Sequence, residues 1–206
     1  MPPAGTSLRH IVQQSIPLLG FKEKEVVNMA DNLVCSRGAC FSSCRNYRYL
    51  LWREWRQPSE KTRTVVFVLL NPSKANESDD DGTIKRCLRF SKRKDFNGNR
   101  MEVVNLFAWC ETESEKLRGA GDDPVGPDND KYIDAAISRA DRVVVGWGRR
   151  KKFPKKYRHR DRDVLKLLEK HGKQLYAFCI NGDGTPTHPG RYIKDDQELI
   201  PYPLKT

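Results

Sequence analysis

The sequence lacks several features that would assign it to a common class. It has no apolar run of 18 residues, so no membrane-spanning helix is predicted. Its first residues do not combine a basic stretch with an apolar core, so we expect no secretory signal. It contains neither the glycine-rich fingerprints of dinucleotide-binding and P-loop proteins nor the Gly-x-Ser-x-Gly elbow of α/β hydrolases. Its six cysteines do not form the pattern of a small disulfide scaffold, which indicates a reducing, cytoplasmic location.

Acidic residues are few compared with basic ones. The chain has 27 Asp and Glu against 38 Lys and Arg, and its formal net charge is +11. A charge of this sign attracts polyanions, nucleic acid first. The alternative is a protein that is kept in solution by its charge. We therefore expect DNA as the partner, no membrane, and no obligate protein partner.

Apolar runs alternate with segments of helical spacing along most of the chain. This alternation predicts βαβ units and a parallel sheet with helices on both faces. We therefore predict an α/β fold, a three-layer αβα sandwich with a central, mainly parallel four-stranded sheet. The domain is assigned to residues 41–206, after an N-terminal helical extension at residues 1–40. The four sheet strands are predicted at residues 64–70, 101–107, 142–147 and 174–180.

Other elements follow from local patterns. Residues 47–55 are rich in aromatic side chains and are typical of a strand. Thr83 is predicted to cap a helix that runs to about residue 94, and Pro127 to open one that runs to about residue 140. Further helices are predicted at residues 21–34 and 161–171.

Two polar side chains each stand directly before a proline and shortly after a predicted strand. They are Asn71, before Pro72, and His188, before Pro189. Proline pushes the residue before it out of the helical region, which restricts where each side chain is presented. Ligands of open α/β sheets bind outside the carboxyl ends of the strands. We therefore predict that Asn71 and His188 form one site.

Two further polar features lie on loops at the same edge. Asn105 ends an otherwise apolar strand, and its amide either reads a base edge or satisfies loop backbone. Asp79, Asp80 and Asp81 precede a predicted helix, where carboxylates stabilise the helix dipole. Alternatively, one of them orients water or stabilises an oxocarbenium-like state, or they bind magnesium.

Residues 149–162 contain nine basic residues and a single acid, Asp161, with Phe153, Tyr157 and His159 interleaved. This pattern predicts contacts with phosphates and with bases or sugars, and the alternative is a solvated surface loop. Lys74 is most simply a further phosphate contact. The basic residues that we predict to contact DNA are Lys74, Arg149, Arg150, Lys151, Lys152, Lys155, Lys156, Arg158 and Arg191.

The cysteines do not predict a metal centre. Cys35, Cys40 and Cys44 are spaced C-x4-C-x3-C, which is not the paired C-x2-C of zinc sites. An iron–sulfur cluster would need a fourth ligand, with Cys87 and Cys110 as candidates. Small buried thiols are the more common arrangement. We expect neither a cofactor nor a metal.

Several short motifs occur in order between residues 41 and 203. They are Phe41-Ser42-x-Cys44-x-x-Tyr47-Arg48-Tyr49-x-Leu51, Leu70-Asn71-Pro72-Ser73, Asp81-Gly82-Thr83-Ile84, Arg86-Cys87, Val104-Asn105-Leu106-Phe107-Ala108, Pro124-x-Gly126-Pro127-x-Asn129-Asp130, Gly146-Trp147-Gly148 and Gly184-x-Pro186-x-His188-Pro189. Together they resemble a domain family catalogued as of unknown function. That family in turn is similar to a distant branch of the uracil-DNA glycosylase superfamily.

The second resemblance implies a uracil-DNA-glycosylase-like fold and a role for each matching residue. Asn71 would position the attacking water, Asn105 would read the base, and His188 would stabilise the departing base. Tyr192 would wedge into the duplex. The late motif ends in Gly190 where the superfamily has serine, and leucine precedes Asn71 where glycine is usual.

We therefore predict a monofunctional DNA N-glycosylase, a hydrolase that removes a flipped-out, modified base in repair or in defence against phage. Asn71, His188 and Asp81 are the predicted catalytic residues. Ser73 and Phe107 join Asn105 in the predicted base-binding group, with Phe107 stacking on the base. The alternatives are a metal-dependent hydrolase or transferase of free nucleotides and a non-catalytic nucleic-acid-binding module.

Overall fold

The computed structural model describes residues 34–56, 60–112, 123–190 and 192–203. The helix predicted at residues 21–34 lies outside this part of the chain except for its last residue. Residues 36–40, assigned from sequence to the N-terminal extension, form most of a strand of the sheet. No helix among the described residues is long and apolar enough to cross a membrane.

The described residues form one seven-stranded sheet and three α-helices, so the predicted α/β class is confirmed. The helices are α1 (Gly82–Ser91), α2 (Asn129–Arg139) and α3 (Arg160–Glu169). The strands, in the order in which they lie in the sheet, are β1 (Ser36–Phe41), β2 (Arg48–Glu54), β4 (Arg100–Asn105), β3 (Thr64–Leu69), β5 (Arg142–Val145), β6 (Leu175–Ala177) and β7 (Ile200–Tyr202).

The predicted four-stranded, mainly parallel sheet is wrong in strand number and in pairing. The strands β4, β3, β5 and β6, which overlap the four predicted segments but end two or three residues earlier in most cases, are adjacent and parallel. However, β1 and β2 add antiparallel pairings at one side, and β7 adds one at the other. The sheet is therefore mixed, with three parallel and three antiparallel pairings.

The central strands have apolar side chains on both faces because helices cover both faces. In β3, Val66 and Val68 pack in a core with α2 and α3, whereas Val65, Phe67 and Leu69 pack in a second core with α1. Every residue of β3 is buried. This burial explains why the β-branched run at residues 64–69 predicts a strand so clearly.

Helix α1 begins two residues earlier than predicted, because it has a different cap. Asp81, not Thr83, is the N-cap residue, and its carboxylate accepts a hydrogen bond from the Ile84 N–H at 2.9 Å. Aspartate is among the best N-cap residues because its carboxylate satisfies a helix N–H that has no partner inside the helix. Asp81 and the amino end of α1 are thereby held at the carboxyl edge of the sheet.

The order of the strands opens a crevice at this edge. After β3 the chain passes through α1 to β4, on one side of β3; after β5 it passes through α3 to β6, on the opposite side. Adjacent parallel strands whose connections diverge in this way leave space for a ligand outside their carboxyl ends. The loops after β3, β4, β5 and β6 are therefore the candidates for the site.

Candidate active site

A cleft of about 590 Å³ lies at this divergence of the connections, a volume typical of small-ligand sites. It is lined by residues from all four loops, and Asn71 and His188 both line it. The other predicted site residues on its wall are Ser73, Asp81, Asn105 and Lys152. Residues far apart in sequence are thus brought together by the ends of the parallel strands.

Asn71 is fixed through its amide nitrogen. Its Nδ2 donates to the backbone oxygen of Glu111 at 2.7 Å and to that of Pro72 at 2.9 Å. The Glu111 N–H also donates to the Pro72 oxygen at 3.0 Å, so Asn71 joins the loops after β3 and β4. The remaining polar atom, Oδ1, is an acceptor. Asn71 can therefore orient a water molecule, but its amide cannot act as a strong base.

Asn105 is the most informative side chain in the cleft. It is 1% exposed, and neither its Oδ1 nor its Nδ2 has a hydrogen-bond partner among the described residues. Asn129 fixes the backbone beneath it by donating to the oxygens of Asn105 and Leu106 at 3.0 and 3.1 Å. A buried amide without partners destabilises the folded state. On the wall of a cleft, a ligand that offers both a donor and an acceptor would complete its hydrogen bonding.

His188 is a neutral imidazole at physiological pH. Burial lowers its pKa from the ordinary 6.5 to about 4, the positive charge of Lys152 adds to this effect, and the charge of Asp81 opposes it. A neutral imidazole carries one N–H donor and one nitrogen acceptor. His188 can therefore donate a hydrogen bond to a leaving group that gains negative charge.

The segment Gly146-Trp147-Gly148, which follows β5, supports the His188 loop. The Gly148 N–H donates to the Pro186 oxygen at 2.9 Å, and Gly148 has a φ of 78°, which suits glycine. The loop also packs directly against Gly146, where an added Cβ would lie 2.9 Å from Cδ of Pro189. The absence of a side chain at residue 146 is therefore a condition for the position of His188.

We expect Gly146→Ala to lower the rate of the base release that is predicted from the sequence by roughly 10- to 100-fold, because displacing a positioned group by about 1 Å has effects of this size. The new methyl would also approach the Thr187 oxygen at 3.3 Å, so the loop that carries His188 must shift. The measurement is the single-turnover rate. Gly182→Ala is the matched control, since a Cβ there meets nothing within 4 Å. Equal rates for the two variants would contradict this account.

Each of the three consecutive aspartates has its own protein partner. Asp80 forms an ion pair with the fully buried Arg53 at 2.6 Å, and Asp79 accepts from the Asn76 amide at 3.0 Å. Asp81 caps α1. No group of three or more His, Cys, Asp or Glu side chains in the described ranges is arranged to hold a metal ion. The geometry therefore favours the structural interpretation for Asp79 and Asp80 and leaves only Asp81 at the cleft.

Three of the other predicted residues lie away from the cleft wall. Phe107 is fully buried and packs edge-on against Phe153 and Tyr157, so it cannot stack on a base in the cleft. Tyr192 is 83% exposed and does not line the cleft, and Lys74 is exposed. Arg191 lies outside the described residues.

The basic segment at residues 149–162 is ordered by specific contacts. It forms short 3-10 turns at Arg150–Lys152 and Lys155–Tyr157 and continues into α3. Phe153 is fully buried between them. Arg150 forms an ion pair with the buried Asp161 at 2.7 Å, and Arg158 donates to the Arg150 oxygen at 3.3 Å. The exposed basic side chains of the predicted DNA-binding set in this segment are Arg149, Lys151, Lys152, Lys155 and Lys156.

If DNA is the partner, as the sequence predicts, we expect the triple variant Arg149→Gln, Lys155→Gln, Lys156→Gln to weaken its binding about equally for unrelated sequences. It should flatten the log–log dependence of affinity on salt by about 0.9 for each phosphate that the variant no longer neutralises. The measurement is the dissociation constant of two unrelated duplexes at several salt concentrations. The control triple variant replaces the exposed Lys94, Lys166 and Lys170, which lie in or after the later turns of α1 and α3. A slope that changes equally in both would assign the effect to net charge alone.

Several residues of the cleft wall are not predicted from the sequence. Arg48 and Arg86 are the most notable, together with Thr83, Glu111 and Trp147. Arg48 lies between two tyrosines in a segment whose composition predicts a strand, so its burial was foreseeable. Arg48 forms no ion pair with the described residues, and this depends on loops that are distant in sequence and has no signal in the sequence itself.

The residues that line the cleft all lie between Arg48 and Gly190. The same interval, residues 48–190, matches the model of the family described as Protein of unknown function (DUF1643). The chain belongs to this family. No curated protein and no solved structure matches the chain. The description of DUF1643 names no activity, so the chemistry has to be inferred from the cleft itself.

Proposed function

We propose that the protein is a monofunctional DNA glycosylase that hydrolyses the bond between deoxyribose and a flipped-out base. The observation that carries this proposal is the meeting of Asn71, Asn105 and His188 on one cleft. They come from three different loops and offer three different capacities. These are a fixed acceptor, an unsatisfied donor–acceptor pair and a neutral imidazole.

Asn105 recognises the base in this proposal. Its amide has an unpaired donor and an unpaired acceptor, and the edge of a nucleobase presents the same two functions in complementary order. Flipping a nucleotide costs a few kcal/mol, which contacts between the basic segment and the phosphates offset. A base without the complementary pattern would leave the Asn105 amide unsatisfied and would be rejected.

His188 and Asn71 act on the two sides of the glycosidic bond. The bond breaks with its electron pair moving to the base, and the neutral His188 donates a hydrogen bond that stabilises this developing charge. The sugar becomes an oxocarbenium-like cation, near which the carboxylate of Asp81 supplies negative charge. A water oriented by Asn71 adds to C1′ and loses its proton to solvent.

Non-catalytic nucleic-acid binding explains less of the structure. Exposed cations at residues 149–156 are sufficient to bind a phosphate backbone. They do not account for a buried amide without partners or for a neutral histidine on the wall of a cleft. Both features are typical of a site that encloses a ligand.

The experiment that tests this function is incubation with a panel of oligonucleotides and phage DNAs that carry different bases. Abasic sites are scored by alkali cleavage in the presence of EDTA. We expect at least one modified base to be released without added metal. Turnover that needs magnesium and yields phosphate or a free nucleotide would replace the glycosylase by a nucleotide hydrolase or transferase.

The pKa of His188 predicts a pH dependence of both catalysis and stability. We expect a rate that is level between about pH 8 and pH 5 and falls as His188 is protonated near pH 4. The unfolded chain takes up this proton at about pH 6.5, before the folded one. The contribution of His188 to stability is therefore complete above pH 6.5 and is lost as the pH falls towards 4. Unfolding free energies of wild type and His188→Gln across this range measure it, and parallel curves would contradict it.

A further inference from the structure

Arg48 is a buried cation that forms no ion pair within the part of the chain that the structure describes. Its side chain is 2% exposed at the start of β2, and it lines the cleft. Its Nη1 donates to the Ala75 oxygen at 2.8 Å, but its Nε has no hydrogen-bond partner among the described residues. None of the ion pairs found within the described ranges includes it. Burial lowers its pKa to about 10, so the guanidinium stays charged at neutral pH.

Arg53, on the same strand, shows what a structural arginine looks like in this protein. It is also fully buried, but it pairs with Asp80 and donates to the backbone oxygens of Gly38, Trp52 and Asn76. An isolated buried charge is strongly unfavourable, whereas a paired and hydrogen-bonded one is tolerated. Of these two arginines of β2, Arg48 is the one that forms no ion pair with the described residues, and it is also the one that lines the cleft.

The amino end of α1 lines the same cleft, and the charge of its cap residue Asp81 is near enough to Arg48 to raise the pKa of the guanidinium against the effect of burial. Gly82 and Thr83 line it, and the Asp81 carboxylate accepts only the N–H of Ile84 from this first turn. The first N–H groups of a helix have no acceptor inside the helix, and together with the helix dipole they attract anions. A Cβ added at Gly82 would meet nothing within 4 Å, so there is open space in front of this turn.

We infer that the end of the cleft formed by Arg48 and the first turn of α1 binds a phosphate group of the substrate. Phosphate oxygens would accept from the Arg48 guanidinium and from the free N–H groups of Gly82 and Thr83. The inference rests on the proposed function for the source of this phosphate, which is the DNA backbone beside the flipped nucleotide. A free nucleotide carries the same group. The cleft thus holds base and phosphate together, with Asn105 on the base and Arg48 on the phosphate.

The first test is the shift of melting temperature caused by inorganic phosphate and by deoxynucleoside 5′-monophosphates. We expect both to stabilise the wild type in a concentration-dependent way, and the corresponding nucleosides to stabilise it less.

Arg48→Met should abolish the phosphate effect while melting near or above the wild type, because it removes a buried charge that forms no ion pair with the described residues. Arg53→Met is the contrasting variant and should melt well below the wild type, because it strands Asp80. Absence of a phosphate effect in the wild type, or its persistence in Arg48→Met, would overturn the inference.

Gly82→Asp provides a second variant, whose result does not depend on whether the Arg48→Met protein folds. A carboxylate in the first turn stabilises the helix but repels a phosphate, so we expect a stable protein with at least about 10-fold weaker phosphate binding. Gly82→Asn is the neutral control of similar shape. Equal phosphate affinity of the Asp and Asn variants would contradict the site.

Duplexes with a single neutral methylphosphonate linkage distinguish the two sources of the phosphate. If the DNA backbone occupies the site, neutralising the linkage beside the target nucleotide weakens binding to the wild type and has no further effect in Arg48→Met. If a free nucleotide occupies it, the monophosphates bind and the linkage has no effect. Phosphate binding without base release would retain this site and remove the glycosylase. Base release that is unchanged in Arg48→Met and Gly82→Asp would retain the glycosylase and remove the phosphate site.

Discussion

Replacing Asn71 or His188 by alanine should lower base release by about 100-fold or more. Preorganised groups that stabilise a transition state typically contribute about 3 kcal/mol each. The two side chains would act on the water and on the departing base, so their removal should appear in the rate of the chemical step. Substrate binding should change less, since the amide of Asn105 and the basic segment remain in place. The measurement is the single-turnover rate at saturating enzyme.

The control for this prediction is His171→Ala. His171 pairs with Asp134 after the carboxyl end of α3, away from the residues that line the cleft. We expect it to keep wild-type rates, although a hydrogen bond near the surface is removed. Rates near wild type in both Asn71→Ala and His188→Ala, with melting curves that show folded protein, would remove the two residues from the mechanism.

Asn105→Leu should produce a protein that is more stable than the wild type and inactive. Leucine has a shape close to that of asparagine but no polar atoms, so it removes a buried amide whose two groups have no partners. Each unsatisfied group of this kind costs about 1–3 kcal/mol, and about 1 kcal/mol corresponds to about 2–4 °C for a chain of this size. Base release should fall by about 100-fold or more, because the base loses its complementary donor and acceptor.

Asn129→Leu is the matched control for Asn105→Leu. The Asn129 amide is also buried, but its nitrogen donates to two backbone oxygens at the end of β4. Its replacement leaves these oxygens without their donor and should lower the melting temperature. A loss of stability in Asn105→Leu comparable with that in Asn129→Leu would show that the Asn105 amide is structural.

The parts of the fold that could be predicted from sequence are those determined by local composition. The run Thr-Val-Val-Phe-Val-Leu of β3 is rich in β-branched and apolar residues, and such a run is typical of a strand buried on both faces. Strands β1 and β7 were missed for the opposite reason. Strand β1 contains Ser, Arg and Gly, and β7 has only three residues, so both depend on pairing with distant partners.

The residues of the cleft also divide into those that local sequence predicts and those that depend on distant parts of the chain. Asn71 and His188 come after predicted parallel strands, whose carboxyl ends lie at one edge, and Pro72 and Pro189 restrict their backbone; these local features predict that the two residues share a site. Phe107 lies beyond the end of β4, where the alternation of side chains between the two faces no longer applies, and its ring turns into the core. The surroundings of Arg48, which forms no ion pair with the described residues, depend on how the loop at residues 71–81 folds over β2, and short-range patterns do not encode this.

The most direct test of the glycosylase proposal does not require the substrate base to be known. It is the affinity for a duplex that contains one pyrrolidine abasic-site analogue, whose positive charge mimics the oxocarbenium-like sugar. Because transition-state analogues bind at least about 100-fold more tightly than substrates, we predict such a preference over the undamaged duplex of the same sequence. The preference should be absent in the double variant Asn71→Ala, His188→Ala. Equal affinity of the wild type for both duplexes would contradict glycosidic bond cleavage in this cleft.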